Sequence, residues 1–237
     1  EAAVRRERPK LLYIIPSFQN PTGRTLAADR RRPIADMAAQ YGFVVAEDDP
    51  YRDLRYTGQH LPTIKSCDHT GHVAYMGSFS KIISPGLRVG YLVAQKDILR
   101  KCTIGKQGTD LHTPNLNQAI VDQFLRRGLL KPHVESILPA YRDKLNLMLR
   151  ELEAFPQGTR YAIPQGGLFL FVELPEGLNA TLLFDKAVER GVAYVPGTHF
   201  YPRGGHHNTL RLNFSNSTPE QIEKGMRILN RLFTENL

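Results

Sequence analysis

The sequence has 237 residues, enough for one large domain or two smaller ones around a sizeable core. No apolar run reaches the length of a membrane span, and the charged residues 1–8 lack a signal-peptide core. Its two cysteines, Cys67 and Cys102, have no metal-site spacing, which excludes a disulfide framework and points to a reducing cytoplasm. The formal charge is +8, but the basic residues are spread along the chain. The densest cluster, Arg30-Arg31-Arg32, falls in a helical pattern and reads as a solvated face. Neither a membrane nor a nucleic acid is therefore an expected partner.

In chain order, residues 11–15 form a continuous apolar run of strand formers, as in a strand buried on both faces of a parallel sheet. Turn chemistry follows at 16–23, then helical spacing over 26–41 with Gly42 as a stop. A second strand at 43–46 runs into the acids of Glu47-Asp-Asp-Pro-Tyr51. Strand, helix, strand argues for a parallel unit. Strands at 73–76 and 89–94 flank Gly77-Ser-Phe-Ser-Lys-Ile-Ile-Ser-Pro-Gly-Leu-Arg-Val-Gly90. Helical patterns at 99–102 and 116–125 are separated by polar residues 105–115. A long amphipathic helix at 134–155 is broken near Pro139. Beyond Pro156 come strands at 169–174, 192–195 and 209–214, and helices at 181–190 and 220–233. The expected architecture is α/β: a mostly parallel sheet over residues 1–132, a connecting helix at 133–156, and a smaller α+β domain at 157–237.

The chemistry collects at strand ends, where open α/β sheets bind ligands. Lys81 is a lysine with hydroxyls just upstream, Ser78 and Ser80, and a guanidinium downstream, Arg88. An amine can form a Schiff base with a carbonyl, and the neighbours can hold a phosphate. Pyridoxal 5′-phosphate (PLP) carries both groups. Asn20 follows the first strand, and Asp48 and Tyr51 follow the second. Taken singly, Asn20 reads as a turn starter, Asp48 as a cap or solvated acid, and Tyr51 as packing. Arg211 stands inside the apolar run Leu210-Arg-Leu-Asn-Phe, where a guanidinium is costly without an anion. That anion is either a protein acid or a substrate carboxylate.

Asn20-Pro-Thr-Gly23, Asp48-x-x-Tyr51, Ser78-x-Ser-Lys81 with Arg88, and Arg211 together resemble the fold-type I PLP-dependent aminotransferases. The resemblance runs from about Leu11 to the C-terminus. The wording of the motifs looks most like the branch with 2-aminoadipate and aromatic aminotransferases, with MocR-type regulators close by. The resemblance implies a PLP enzyme, a homodimer, that transfers an amino group between an α-amino acid and a 2-oxo acid. Lys81 would hold PLP and carry the proton. Asp48 would pair with the pyridine nitrogen, and Asn20 and Tyr51 would donate to the phenolate oxygen. Ser78, Ser80 and Arg88 would bind the phosphate, Arg211 would bind the substrate α-carboxylate, and Asn20 would also contact the substrate. Gly166-Gly167 and Pro196-Gly197 would let the backbone approach substrate, and Tyr194, Phe200 and Tyr201 would line the side-chain pocket. The alternatives are a PLP-binding sensor domain of a MocR-type regulator and a PLP β-lyase. In the family a longer segment precedes the first strand, with a phosphate-binding turn and an aromatic residue that stacks on the cofactor. Only ten residues precede Leu11 here, so the chain is expected to be the C-terminal part of a longer protein, and to bind PLP poorly and be inactive alone.

Overall fold

A computed structural model describes all residues from Glu1 to Leu237. The chain divides into two compact units, 1–17 with 25–136, and 18–24 with 137–237. This differs from the division expected from sequence. The boundary falls inside the long helix rather than at its ends, and the loop 18–24 is counted with the C-terminal unit. No helix is long and apolar enough to cross a membrane.

In the first unit, helix α1 (Ala2–Glu7) leads to strand β1 (Leu11–Ile14). A short 3-10 turn at Ala28–Arg30 precedes helix α2 (Arg31–Tyr41), which Gly42 ends in a left-handed conformation. Strands β2 (Val44–Asp48), β3 (Val73–Ser78) and β4 (Gly90–Val93) follow. The sheet order is β1-β2-β3-β4, parallel except for β4, which pairs antiparallel with β3. Ala35, Ala38, Phe43, Val45, Ile64 and Val73 form the core on one face, with Leu12 and Ile14 against it. Within the 237 residues β1 is covered on one face. Leu11 and Tyr13 are each 58% exposed, because the core covers only the alternate residues.

Three further helices complete this part. Helix α3 (Lys96–Thr109) runs straight through Gly105 and Gly108, residues expected to lie in a polar break. Helix α4 is Asn115–Arg126, and helix α5 is Leu130–Leu152. Pro139 lies within α5 without breaking it.

The second unit is built on an antiparallel sheet of order β5-β6-β8-β7: Arg160–Tyr161, Phe169–Glu173, Thr209–Asn213 and Val195–Pro196. The strand expected at 192–195 shrinks to two residues. Leu170 pairs with Leu212 and Val172 with Leu210, a buried apolar face. Phe169, Phe171 and Arg211 share the opposite face. Helix α6 (Phe184–Glu189) is shorter than expected. Helix α7 (Pro219–Thr234) opens with a capping box, in which Thr218 Oγ1 accepts from Gln221 N and Gln221 Oε1 accepts from Thr218 N.

The Arg30-Arg31-Arg32 cluster is not a solvated face. Arg30 and Arg32 are exposed, but Arg31 is fully buried, on the same helical stripe as Ala35 and Ala38. Its guanidinium donates to the carbonyls of Pro62 (2.7 Å), Pro16 (3.2 Å) and Leu26 (3.3 Å), and to Ser17 Oγ (3.5 Å). Removing the charge strands these acceptors, the expensive way to break a buried polar cluster. Arg31→Met is expected to destabilise the protein by about 3–5 kcal/mol in urea denaturation followed by circular dichroism.

Candidate active site

Strand alternation sorts the acids of the Glu47-Asp48-Asp49 run. Glu47 points into the core and is fully buried, accepting from the backbone amides of Ile64 (2.8 Å) and Lys65 (2.7 Å). Asp49, beyond the strand end, is also buried. Burial raises both carboxyls, opposed at Glu47 by those two amides and at Asp49 by Ser17, Arg52 and Arg31. Asp48 takes the other face, and its Oδ2 accepts from the Tyr13 hydroxyl at 2.6 Å. The parallel register puts the ends of β1, β2 and β3 on one edge of the sheet. Tyr51 follows in the next turn and is buried.

Lys81 belongs to that edge. β3 ends at Ser78, and the carbonyl of Phe79 then accepts three amides, from Ile82 (3.3 Å), Ile83 (2.8 Å) and Ser84 (3.2 Å). Phe79 and Ile82 are buried and anchor this turn on either side of Lys81. Lys81 itself is half-buried and makes no hydrogen bond or ion pair. Ser80 N donates to Ser78 Oγ at 3.1 Å. That contact uses the Ser78 oxygen as acceptor and leaves its own hydrogen to donate. Because β4 is antiparallel, its first residue, Gly90, lies opposite Ser78, so Arg88 returns to the same edge. Arg88 has φ 55° and ψ 35°, the left-handed region that costs a non-glycine residue about 1 kcal/mol. Asn117 Nδ2 on α4 ties down the preceding loop through the Leu87 carbonyl at 2.9 Å. Arg88 makes one long hydrogen bond, 3.4 Å to Pro85 O. Asp48, Tyr51, Ser78, Ser80, Lys81 and Arg88 thus gather at one sheet edge within the first unit.

Asn20 and Arg211 meet in the second unit, 191 positions apart in sequence. Arg211 Nη1 donates to Asn20 Oδ1 at 2.7 Å. Its guanidinium lies 4.4 Å from the centre of the Phe169 ring and 5.3 Å from that of Phe200. Such aromatic faces favour a cation while leaving its edge to bind anions. Gly167 (φ +79°) belongs to the same arrangement, since a Cβ there would stand 2.6 Å from Phe18 Cβ at the head of the loop that carries Asn20.

The structure changes one expectation about the substrate pocket and gives Gly197 a packing reason of its own. Tyr194 does not line a pocket. It is buried, donates its hydroxyl to Ala180 O (2.6 Å), and packs against Phe184 and Phe233. Gly197 is required by its own neighbour, since a Cβ would come within 2.8 Å of the Thr209 carbonyl carbon. Phe200 faces Arg211 and Phe171, while Tyr201 helps line a cavity of about 410 Å³ with Thr22, Arg24, Arg160 and Phe171. Sequence reasoning passed over Tyr13. The signal was present in the alternation, because Tyr13 shares a sheet face with Asp48.

A model of the aminotransferase class I and II family matches residues 1–229. The chain belongs to this family. The chain is 44% identical over 236 residues to a 2-aminoadipate transaminase of Thermus thermophilus, covering 98% of this chain and 59% of that protein. It is 40% identical over 232 residues to aromatic-amino-acid aminotransferase 1 of Thermococcus litoralis, covering 98% of this chain and 56% of the relative. The solved structure of an alpha-aminoadipate aminotransferase from Thermus thermophilus, complexed with N-(5′-phosphopyridoxyl)-L-leucine, superposes with a TM-score of 0.92 at 42% identity. That match covers 99% of this chain and 61% of the other. The chain spans less than two thirds of these relatives' length.

Gly167→Ala should combine left-handed strain with a clash at Phe18. The expected cost is about 2 kcal/mol or more, seen as a melting temperature several degrees lower.

Proposed function

We propose that the protein carrying this chain is a PLP-dependent aminotransferase that moves the amino group of an α-amino acid to a 2-oxo acid, as a cytoplasmic homodimer. The observation that carries this reading is the sheet edge where Lys81, with no protein partner, follows Ser78 and Ser80 and lies on the edge that ends in Asp48. Its donor set suits an aldehyde that is also a phosphate ester. There is a partnerless amine, a serine hydrogen left to donate, and a guanidinium with one long contact. The phosphopyridoxyl adduct in the Thermus relative supports the same assignment. Relatives at 40 and 44% identity are named as aminotransferases, which makes the regulator reading the weaker one.

When bound, PLP supplies an electron sink for the pair left on the substrate α-carbon. Asp48 would keep a proton on the ring nitrogen, so that this sink stays positive. Lys81 would hold the cofactor through Nζ and would move a proton at that nitrogen to and from the substrate α-carbon. Asn20 and Tyr51 would donate to the cofactor's ring oxygen. Ser78, Ser80 and Arg88 would take the phosphate. Arg211 binds the α-carboxylate through its edge, and the Asn20 contact fixes the plane of the guanidinium.

Lys81→Ala should abolish both transamination and the lysine-dependent cofactor absorbance. Arg211→Lys should retain that absorbance while raising KM for the amino acid about 10- to 100-fold, the size of a lost bidentate contact. Transamination that survives Lys81→Ala would refute the reading. Release of free ammonia in place of a new amino acid would redirect it to a lyase.

A further inference from the structure

We propose that Tyr13 is a positioning residue for Asp48, holding one carboxylate oxygen so that the other is presented to the ring nitrogen of a bound pyridine. The inference rests on the role given to Asp48 above. Tyr13 stands opposite Ala46 in the β1–β2 ladder, and Asp48 is two residues further along on the same face. The phenol spans that diagonal and donates to Oδ2 at 2.6 Å, a distance typical of a charge-assisted bond. It is the one hydrogen bond on the Asp48 side chain, and Oδ1 makes none. The terminal torsion of an aspartate is broad and nearly two-fold. A carboxylate at an open strand end therefore needs an outside contact to fix its plane, and Tyr13 provides it from a neighbouring strand.

The pair is not needed to join the strands. The backbone ladder from Leu11↔Val44 to Ile14↔Glu47 already does so. Burial around the hydroxyl and its bond to Asp48 push the phenol up to about 12, with Tyr51 adding a smaller push. The hydroxyl therefore keeps its hydrogen, and remains a donor, at any pH where the enzyme works.

The test compares wild type, Tyr13→Phe, Asp48→Asn and the double variant, each made in the full-length protein that carries this chain. Without cofactor, the tyrosinate absorbance missing from Tyr13→Phe should titrate near 12 in wild type. It should move toward the ordinary tyrosine value of about 10 in Asp48→Asn. With PLP bound, Tyr13→Phe should hold the cofactor about tenfold more weakly, the scale of one charge-assisted hydrogen bond. It should also shift the pH midpoint of the cofactor absorbance. Neither effect should appear when Tyr13→Phe is added to Asp48→Asn. Equal urea midpoints for wild type and Tyr13→Phe would separate positioning from folding. The proposal is overturned if Asp48→Asn leaves the Tyr13 titration in place, if Tyr13→Phe holds PLP as wild type does, or if its effect is undiminished in Asp48→Asn. Failure of the aminotransferase reading looks different. Wild type would then take up no PLP at Lys81 although the cofactor-free titration behaves as expected, and the role of Tyr13 would fall with that reading.

Discussion

A positive charge that water cannot reach organises the first unit. Arg31 is held by the carbonyls of Pro16, Leu26 and Pro62, three segments that share no regular element. Its guanidinium has donors for all of them at once, which an ammonium on a flexible stem does not. Two acids balance it electrostatically, Glu47 and Asp49, both buried and both within reach of its field. The chain's path out of β1, its entry to α2 and the turn that caps Glu47 are therefore mutually dependent. The edge of the sheet inherits that rigidity, because Asp48 lies between the two buried acids.

The second unit solves a different problem with the same residue type. Arg211 interrupts an apolar strand, on the sheet face opposite Leu210 and Leu212. There it lies over Phe169 and Phe200 and reaches Asn20. Stacking supports the charge without neutralising it. Arg31 is consumed by the fold, and Arg211 is supported by it. Composition alone does not separate the two.

Much of this was legible in the sequence, and the failures have physical causes. Strands β2, β3, β6 and β8 announced themselves by apolar runs; Asp48, Ser78 and Arg211 lie on strands, and Tyr51, Ser80 and Lys81 in the turns just beyond them. Arg31 was misread because three consecutive arginines look alike, although its spacing from Ala35 and Ala38 placed it on the buried stripe. Helix α3 was cut short because Gly105 and Gly108 suggested a break, and the costs of two glycines did not stop the helix. Pro139 was read as a break for the same kind of reason. Tyr194 and Gly197 looked like pocket residues because aromatics and glycines near motifs invite that reading, while the packing of Phe184, Phe233 and Thr209 explains them. The contact of Asn20 with Arg211 could not be read locally, since it joins residues 191 positions apart.

The alternation at Glu47, Asp48 and Asp49 carries one more implication. Two of these acids serve the interior and the middle one faces the other way, so their roles depend on phase and not on identity. Inserting or deleting a single residue in β2 would exchange them, sending Asp48 into the amide cradle at Ile64 and Lys65 and turning a structural acid toward the open edge. The tripeptide is thus a reading frame in three dimensions. Drift in length can be absorbed in the loops on either side of this strand, but not within it.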